Sequence, residues 1–233
     1  MVREDPRDAF VLKAGRPPCK IQDLPPGAVV GTSSIRRGAQ LALKHPHLVI
    51  EDMRGNITTR LDKLDAEDSK FDALILAAAG LIRIDLSDRI TQYLSSEDGG
   101  MLYAVGQGAI GIENRTNDIS VRSQIDRIND IPTFLAINAE RSLLRFLEGG
   151  CSAPLGVETK WLTTTELQMK AIVVSTDGKE SAETVSTREI VSVEGAEVFG
   201  IEVAKDLLSR GADKILAEIK AKRPTPILDL EEK

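Results

Sequence analysis

The stretch GAVVGTSSIRRGAQLALKHPHLVIEDM, residues 27–53, decides the fold class of this chain. Its first apolar segment, AVVGT, predicts a short strand, and SSIRRGAQLALKHP predicts an amphipathic helix that ends at Pro46. HLVIEDM then predicts the next strand. A strand, a helix and a strand joined by short connections are typical of an open α/β sheet.

The same alternation continues to about Tyr103. NITTRLDKLDAED, residues 56–68, predicts a second helix. FDALILAAAG, residues 71–80, is a nearly continuous apolar run, as expected of a parallel strand that is buried on both faces. Ligands of such sheets usually bind beyond the carboxyl ends of the strands, so we expect the site at that edge.

The second half of the chain predicts an α+β unit, with a boundary near residues 127–132. PTFLAINAERSLLRFLE, residues 132–148, has a strong helix pattern that ends at Gly149 and Gly150. Three β-type runs predict a small antiparallel sheet, with a TDGK turn after the second run. The predicted elements here are strands GVETKW (156–161), ELQMKAIVVS (166–175) and TREIVSV (187–193), and helices over 195–209, closed by Gly211, and 212–222.

Composition excludes several classes of function. The 233 residues carry a formal net charge of -6 and 3% aromatic residues, which argues against a general nucleic-acid binder. No apolar run approaches the roughly 18 residues of a membrane span, and the charged MVREDPRDAF is not a secretory signal. Cys19 and Cys151 make no disulfide framework and favour the cytoplasm. His45 and His47 flank Pro46, which indicates a surface turn rather than a metal site.

GTSSIRR, residues 31–37, places two adjacent arginines at the start of a predicted helix. Cations are unfavourable at a helix N-terminus, so an anionic ligand would explain Arg36 and Arg37. A helix cap by Ser33 or Ser34 with solvated arginines explains the stretch equally well. The sequence leaves both readings open at this position.

RGNITTR, residues 54–60, repeats the same construction after the next predicted strand, and Arg83 falls at a third such position. Because the carboxyl ends of neighbouring parallel strands meet at one edge, these arginines predict an anion-binding cleft. Positions at three strand ends suit a ligand with several carboxylates better than a single phosphate.

AVGQGAIGIE contains a formal G-x-G-x-x-G in Gly106, Gly108 and Gly111. The dinucleotide fingerprint needs a helix after the glycines, whereas IGIE predicts a strand, so we expect a hinge or inter-domain crossing instead. LEGGCSAP places Cys151 in a glycine-rich loop after a helix. That thiol is either a small buried hydrophobe or a point of covalent attachment.

Six motifs in collinear order resemble the porphobilinogen deaminases, or hydroxymethylbilane synthases, over essentially the whole chain. They are REDPRDAF, VGTSSIRRGAQL, RGNITTRLDKLD, ILAAAGLIR, AVGQGAIGIE and AERSLLRFLEGGCSAP. The resemblance implies a transferase of tetrapyrrole (haem) biosynthesis that joins four porphobilinogen units into linear hydroxymethylbilane and releases ammonia. It also implies a monomer, which joins the cytoplasmic location expected from the cysteines and the absence of nucleic-acid and membrane partners expected from composition and hydropathy.

The resemblance further implies a dipyrromethane cofactor bound through a thioether to Cys151. It assigns the carboxylates of cofactor and substrate to a set of arginines with small polar residues and glycines beside them, and implies no metal. These residues are Arg3, Thr32, Ser33, Ser34, Arg36, Arg37, Arg54, Gly55, Asn56, Arg60, Arg83, Gln107 and Gly108.

By the same resemblance the fold is an open α/β domain like those of periplasmic binding proteins, followed by a small C-terminal α+β domain with a three-stranded antiparallel sheet. Residues 1–103 form the family's second α/β domain, with 1–6 as the end of a first domain that is largely missing. Residues 104–130 cross back to that first domain, and residues 131–233 form the domain that carries the cofactor cysteine.

The family's catalytic aspartate lies in a lysine–aspartate–valine–proline motif, and no KDVP occurs in these 233 residues. We therefore expect this chain alone to have poor stability and negligible activity. Two alternatives remain: a non-catalytic remnant that binds polycarboxylates, and the effector-sensing domain of a regulator. Retention of Cys151 disfavours the non-catalytic remnant. The effector-sensing domain is disfavoured because the chain contains no DNA-binding helix-turn-helix.

Overall fold

The computed structural model describes residues 1–147 and 153–221, which contain two sheets. In the first sheet β2 is parallel to β3 and β4, whereas β1 is antiparallel to β4 and β5, in the order β3-β2-β4-β1-β5. Parallel strands with helical connections are what the alternation predicts. The strands are β1 (Asp8–Leu12), β2 (Val29–Gly31), β3 (Val49–Glu51), β4 (Ala73–Ala77) and β5 (Gln92–Leu94).

Both faces of this sheet are covered, which explains the continuous apolar runs. Phe10 and Leu12 of β1 pack on one side, against Leu41 of helix α1. Ala9 and Val11 pack on the other side, against the second and third helices. The helices are α1 (Ile35–Lys44), α2 (Ile57–Asp65) and α3 (Ala78–Ile82), with short turns of 3-10 helix at Ile21–Asp23 and Ser87–Arg89.

The second sheet is antiparallel, in the order β6-β7-β8, as predicted for the C-terminal unit. Two long helices, α5 and α6, cover one face, and Ala39 of α1 packs with Ile172 on the other face. The elements are β6 (Leu155–Trp161), β7 (Glu166–Val174), β8 (Ser181–Glu189), α4 (Ile119–Asp126), α5 (Ile131–Phe146), α6 (Val193–Leu207) and α7 (Asp213–Ala221).

The third strand of this sheet lies earlier in the sequence than predicted. The pattern TREIVSV places it at 187–193, whereas β8 begins at Ser181, which pairs with Val174 directly across the TDGK turn. A tight turn forces pairing to start at once, and Ser192 has left the sheet to cap α6. Gly211, at φ 100°, closes the turn between α6 and α7, as the sequence predicts.

The predicted strand IGIE is wrong, because residues 109–117 contain neither helix nor strand. A strand needs a neighbour with which to exchange backbone hydrogen bonds, and no described strand pairs with these residues. Ile110 and Ile112 are exposed, and α4, which follows, has no buried residue.

The surface turn predicted around Pro46 is also wrong for His45. His45 ends α1, is buried, and its Nε2 lies 2.9 Å from the carbonyl oxygen of Gly99. Gly149 and Gly150, predicted to end α5, lie outside the described residues. No helix in the described part of the chain combines the length and apolar character needed to cross a membrane.

Candidate functional site

The carboxyl ends of β2, β3 and β4 meet at one edge of the first sheet, because these strands are parallel. Thr32 follows β2 directly, Arg54 follows β3, and α3 leads from β4 to Arg83. Strand β1 is antiparallel to β4, so it begins where β4 ends, and its first residue Asp8 pairs with Ala77. A carboxylate therefore lies among the predicted arginines.

Arg36 and Arg37 converge on this carboxylate. Nη1 of Arg36 donates to Oδ2 of Asp8 at 2.7 Å, and Nε of Arg37 donates to Oδ1 at 2.9 Å. All three side chains are buried, and Asp8 is only 1% exposed. Of the two interpretations that the sequence leaves open, the one with solvated arginines is wrong, because the structure places both inside, paired with an internal acid.

The electrostatics of this cluster show why the carboxylate is ionised. Burial by itself would raise the pKa of Asp8, but Arg36 and Arg37 outweigh burial and lower that pKa to about 2. Burial is also the main cause that lowers the pKa of Arg37 below its usual value, with Asp8 acting in the opposite direction. Two guanidinium groups against one carboxylate leave one surplus positive charge.

The start of helix α1 confirms the helix cap in GTSSIRR but not the solvated arginines predicted with it. Ser34 caps the helix, and its hydroxyl accepts from the backbone N–H of Arg37 at 3.4 Å. Thr32 is buried and its hydroxyl accepts from the N–H of Ser34, whereas Ser33 is half-buried. The cap therefore exists, but the arginines are not solvated as that reading requires.

Gln107 and Gly108 bring the segment after Tyr103 to the same cluster. Nε2 of Gln107 donates to Oδ1 of Asp8 at 2.9 Å and to the carbonyl of Pro6 at 2.7 Å. Gly108 adopts φ 84°, and a side chain there would overlap the carbonyl oxygen of Glu4. Its own carbonyl accepts from Nη2 of Arg83 at 2.6 Å, which ties Arg83 to this crossing.

RGNITTR forms the exposed part of the edge. Arg54 is 79% exposed in its side chain and donates through Nε to Asp52. Nε of Arg60 donates to the carbonyl of Gly55 at 2.6 Å, and Gly55 needs its left-handed φ of 127°. Asn56 caps α2 by accepting from the N–H of Thr59. Arg54 is therefore exposed and paired with Asp52, while the half-buried Arg60 lies close enough to Arg37 for its charge to add to burial in lowering the pKa of that arginine.

Arg3 belongs to a separate buried network. Its Nη1 donates to Oε1 of Glu140 at 2.6 Å, and its guanidinium lies 4.9 Å from the centre of the Tyr103 ring. Burial alone would lower the pKa of Arg3, but Glu140 raises it, and burial raises the pKa of Tyr103 to about 12. Arg3 touches the first cluster through its Nε, which donates to the carbonyl of Gln107.

The structure thus brings together most of the predicted set, with Arg3 in the adjoining network. Cys151 lies outside the described residues. Sequence reasoning missed Asp8 and Glu140 as partners of the arginines. A charged residue that opens the otherwise apolar DAFVL was the available signal for Asp8. Among residues 1–147 and 153–221 no group of three or more metal-ligating side chains occurs.

Comparisons with known proteins agree on one family. The model described as "Porphobilinogen deaminase, dipyromethane cofactor binding domain" matches residues 1–123, and the model of the "Porphobilinogen deaminase, C-terminal domain" matches residues 134–209. Porphobilinogen deaminase of Neurospora crassa is 51% identical over 220 residues, which are 92% of this chain and 65% of the relative. That of Candida albicans is 49% identical over 222 residues, 95% of this chain and 64% of the relative.

A bacterial relative gives the same result. Porphobilinogen deaminase of Prochlorococcus marinus is 47% identical over 217 residues, which are 93% of this chain and 66% of the relative. The chain therefore spans between 64% and 66% of the length of these three relatives.

Proposed function

Because the chain belongs to the porphobilinogen deaminase family, we propose that it serves as a hydroxymethylbilane synthase of haem biosynthesis. In this proposal four porphobilinogen units are joined head to tail with release of ammonia. A dipyrromethane bound through a thioether to Cys151 supplies the primer for chain growth. The family model that matches more than half of the chain is that of the cofactor-binding domain, which supports this cofactor.

The observation that carries the proposal is the surplus of cations at one sheet edge. Each pyrrole of the cofactor or substrate brings an acetate and a propionate, and guanidinium groups match carboxylates in shape and charge. Arg37 belongs to the buried cluster with surplus charge, and the half-buried Arg60 adds a second positive charge near it, whereas Arg54 is exposed and paired with Asp52. The full set proposed to bind carboxylates is Arg3, Thr32, Ser33, Ser34, Arg36, Arg37, Arg54, Gly55, Asn56, Arg60, Arg83, Gln107 and Gly108.

The proposal includes the domain organisation. We infer that residues 1–103 form an α/β domain of the periplasmic-binding-protein kind, that 104–130 complete a neighbouring first domain, and that 131–233 form the cofactor-cysteine domain. The exposure of Ile110, Ile112 and Ile119 supports the assignment of residues 104–130 to a neighbouring domain, because a cluster of apolar side chains is usually covered. A cytoplasmic monomer is part of the same proposal.

The decisive test is the modification of Cys151. Intact-mass and peptide analysis of the protein expressed in its source cells should find a dipyrromethane adduct on the peptide that carries Cys151. Cys151→Ser should abolish the adduct. Cys19→Ser is the matched control, because Cys19 is a free, half-buried thiol beside the first sheet, and this variant should keep the adduct.

The same samples separate the proposal from the non-catalytic alternative. An unmodified Cys151 in chains that still bind porphobilinogen, as measured by calorimetry, would favour a polycarboxylate-binding remnant over an enzyme.

Turnover of porphobilinogen by the isolated chain is a further test. Because no KDVP occurs in the 233 residues, the isolated chain lacks general-acid assistance worth about 10²–10⁴-fold, and we expect no hydroxymethylbilane above background. A normal turnover rate would contradict that expectation.

A further inference from the structure

One face of the second sheet packs on the α/β unit, which is the first sheet with α1, α2 and α3. Residues two apart on a strand share a face, so Lys170 of β7 lies on the same face as Ile172 and Val174. In the described part of the chain, the buried apolar cluster at this contact is small: Ile172 and Val174 with Ala39 and Leu102. Domains move relative to each other unless their interface is large and apolar, so the polar contacts around this cluster decide whether it stays closed.

Ser96 of the α/β unit makes three hydrogen bonds with this face of the sheet. Its backbone N–H donates to Oε2 of Glu158 at 2.9 Å, and its hydroxyl donates to Oε1 of Glu158 at 2.6 Å. The same hydroxyl accepts from Nζ of Lys170 at 2.8 Å. Glu158 and Lys170 pair directly across β6 and β7, and Nζ lies 3.6 Å from Oε1. These three residues, here called the interface latch, form a closed ring of a carboxylate, a hydroxyl and an ammonium group.

The interface latch is partly shielded from water. The side chains of Glu158 and Lys170 are 19% and 25% exposed. Lys44 of α1 and Glu183 of β8 pair across the same interface, but their side chains are 38% and 53% exposed. Hydrogen bonds to charged groups are stronger than those between neutral groups, and salt screens partly buried pairs less than exposed ones. The latch is therefore the stronger of these two polar contacts.

The loop that carries Ser96 is itself fixed to the α/β unit. Oδ1 of Asp98 accepts from Nε2 of Gln92 in β5 at 2.7 Å, and the carbonyl oxygen of Gly99 lies 2.9 Å from Nε2 of His45 at the end of α1. Gly99 adopts a left-handed φ of 80°, which glycine tolerates without strain. The latch thus joins an ordered loop to an ordered sheet, and its closure determines how the two lie relative to each other.

We propose that the interface latch is a positioning device that holds the second sheet closed against the α/β unit, and that loss of the Glu158 carboxylate lets this sheet rock about the crossing at Tyr103. Tyr103 packs in the core of the C-terminal unit, so the chain stays attached there. Because β6 begins at Leu155, shortly after Cys151 in the sequence, a closed latch also fixes the strand to which the proposed cofactor loop leads. That consequence rests on the proposed function, whereas the latch does not.

Distances between spin labels, measured by pulsed electron spin resonance, test the position of the second sheet. The labels are attached at Asp62→Cys on α2 and Thr187→Cys on β8, which are both exposed, in a chain with Cys19→Ser and Cys151→Ser. With the latch intact, the two labels should give one narrow distance distribution. A broad distribution in this chain would overturn the proposal.

Glu158→Gln in the labelled chain removes the latch with little change of volume. Both carboxylate oxygens of Glu158 accept from Ser96, so an amide leaves one donor without its acceptor. We expect the width of the distance distribution to increase by about twofold or more. Glu183→Gln is the matched control, because it breaks the exposed pair with Lys44 on the same face, and it should leave the width unchanged. No broadening from Glu158→Gln, or equal broadening from both variants, would overturn the proposal.

Amide hydrogen exchange decides the matter if Glu158→Gln does not fold, as judged by circular dichroism. In the unaltered protein the N–H of Ser96 should exchange at least about tenfold more slowly than in an unfolded chain. Lys170→Met should speed this exchange by about threefold or more, while the amide of Val173 in the middle strand keeps its rate. An unprotected Ser96, or equal acceleration at Val173, would overturn the proposal. Both measurements omit ligand, so an unmodified Cys151 would reject the proposed function and leave the latch standing.

Discussion

Two buried carboxylates organise the arginines of this protein. Asp8 faces Arg36 and Arg37, and Glu140 faces Arg3. Both acids are essentially excluded from solvent, and each accepts several hydrogen bonds. A buried charge is tolerated only when it is paired and hydrogen-bonded, so removal of either acid leaves an uncompensated guanidinium.

Asp8 predicts a loss of stability in acid. The pKa of Asp8 is about 2 in the folded protein, below its ordinary 3.8, so the native state binds this proton less readily than the unfolded state. Its contribution, about 2 kcal/mol, is present above pH 4 and is lost as the pH falls toward 2. Urea unfolding at a series of pH values should show this fall, and Asp8→Asn should reduce it.

Asp177 provides a control for that measurement. It lies in the exposed TDGK turn, and Ser175 and Lys179 lower its pKa to about 2 as well. Because water screens these contacts, Asp177→Asn should change the pH dependence much less than Asp8→Asn. The same effect from both variants would show that burial of Asp8 is not the cause.

The contacts of Glu140 predict a second loss of stability. Beyond Arg3, its carboxylate accepts from the N–H of Gly106 at 2.8 Å and from the hydroxyl of Thr159 at 2.7 Å. Glu140→Gln should lower the free energy of unfolding by about 3 kcal/mol, because it strands the Arg3 charge. Glu197→Gln is the control: Glu197 pairs with Arg145 on the surface, and loss of that pair should cost below about 1 kcal/mol.

At the scale of elements, helix α1 links the site to the second sheet. Its first turn carries Arg36 and Arg37, while Gln40, one turn later, accepts from the N–H of Leu102 at 2.8 Å and donates to its carbonyl at 2.9 Å. Leu102 precedes Tyr103, whose carbonyl accepts from the N–H of Val157 in β6. The arginine pair is thus held by packing against both sheets.

The close crossing of α5 and α6 predicts that a side chain at one glycine will strongly destabilise the fold. A Cβ on Gly200 would overlap the carbonyl oxygen of Ala139 and approach the backbone nitrogen of Leu143 to 2.8 Å. Gly200→Ala should force the helices apart and lower the free energy of unfolding by about 3 kcal/mol, measured by urea unfolding.

Gly195 is the matched control in the same helix. A Cβ there meets only the hydroxyl oxygen of Ser192 at 3.5 Å, an ordinary contact. Because alanine favours a helix over glycine, Gly195→Ala should be neutral or stabilise by up to about 1 kcal/mol. Equal destabilisation by Gly195→Ala and Gly200→Ala would contradict the close crossing.

At the scale of the whole molecule, the two sheets are cross-linked but one segment is not integrated. Ser96 donates through its hydroxyl to Glu158 at 2.6 Å and accepts from Lys170 at 2.8 Å, which joins the first sheet to the second. By contrast, residues 109–128 are largely exposed and make few contacts with either sheet.

This contrast predicts where proteolysis begins. Trypsin should cut first at Arg115 or Arg122, both exposed, and the two fragments should stay associated because Tyr103 and α5 share one core. Lys170 and Arg188, which lie in paired strands, should be cut later. Mass spectrometry of early fragments checks the order, and first cleavage within β7 or β8 would contradict it.

Several features of this protein follow from the sequence alone. The elements α1, α2, α5, β4, β6 and β7 lie close to where hydrophobic periodicity, caps and glycines predict them, because those signals act between residues near in sequence. Arginines at successive strand ends also predict one cationic edge, because the carboxyl ends of parallel strands meet at the same edge of a sheet. The motifs that resemble the family identify it, and the comparisons confirm that identification.

Only the tertiary structure decided which groups face one another over long separations. Asp8 and Arg36 are 28 residues apart, and Arg3 and Glu140 are 137 apart, so no local pattern pairs them. The predicted strand at IGIE fails and β8 begins at Ser181 because strands exist only where a partner accepts their hydrogen bonds. The arginines turn inward for the same kind of reason: an antiparallel strand places a carboxylate where the parallel strands end.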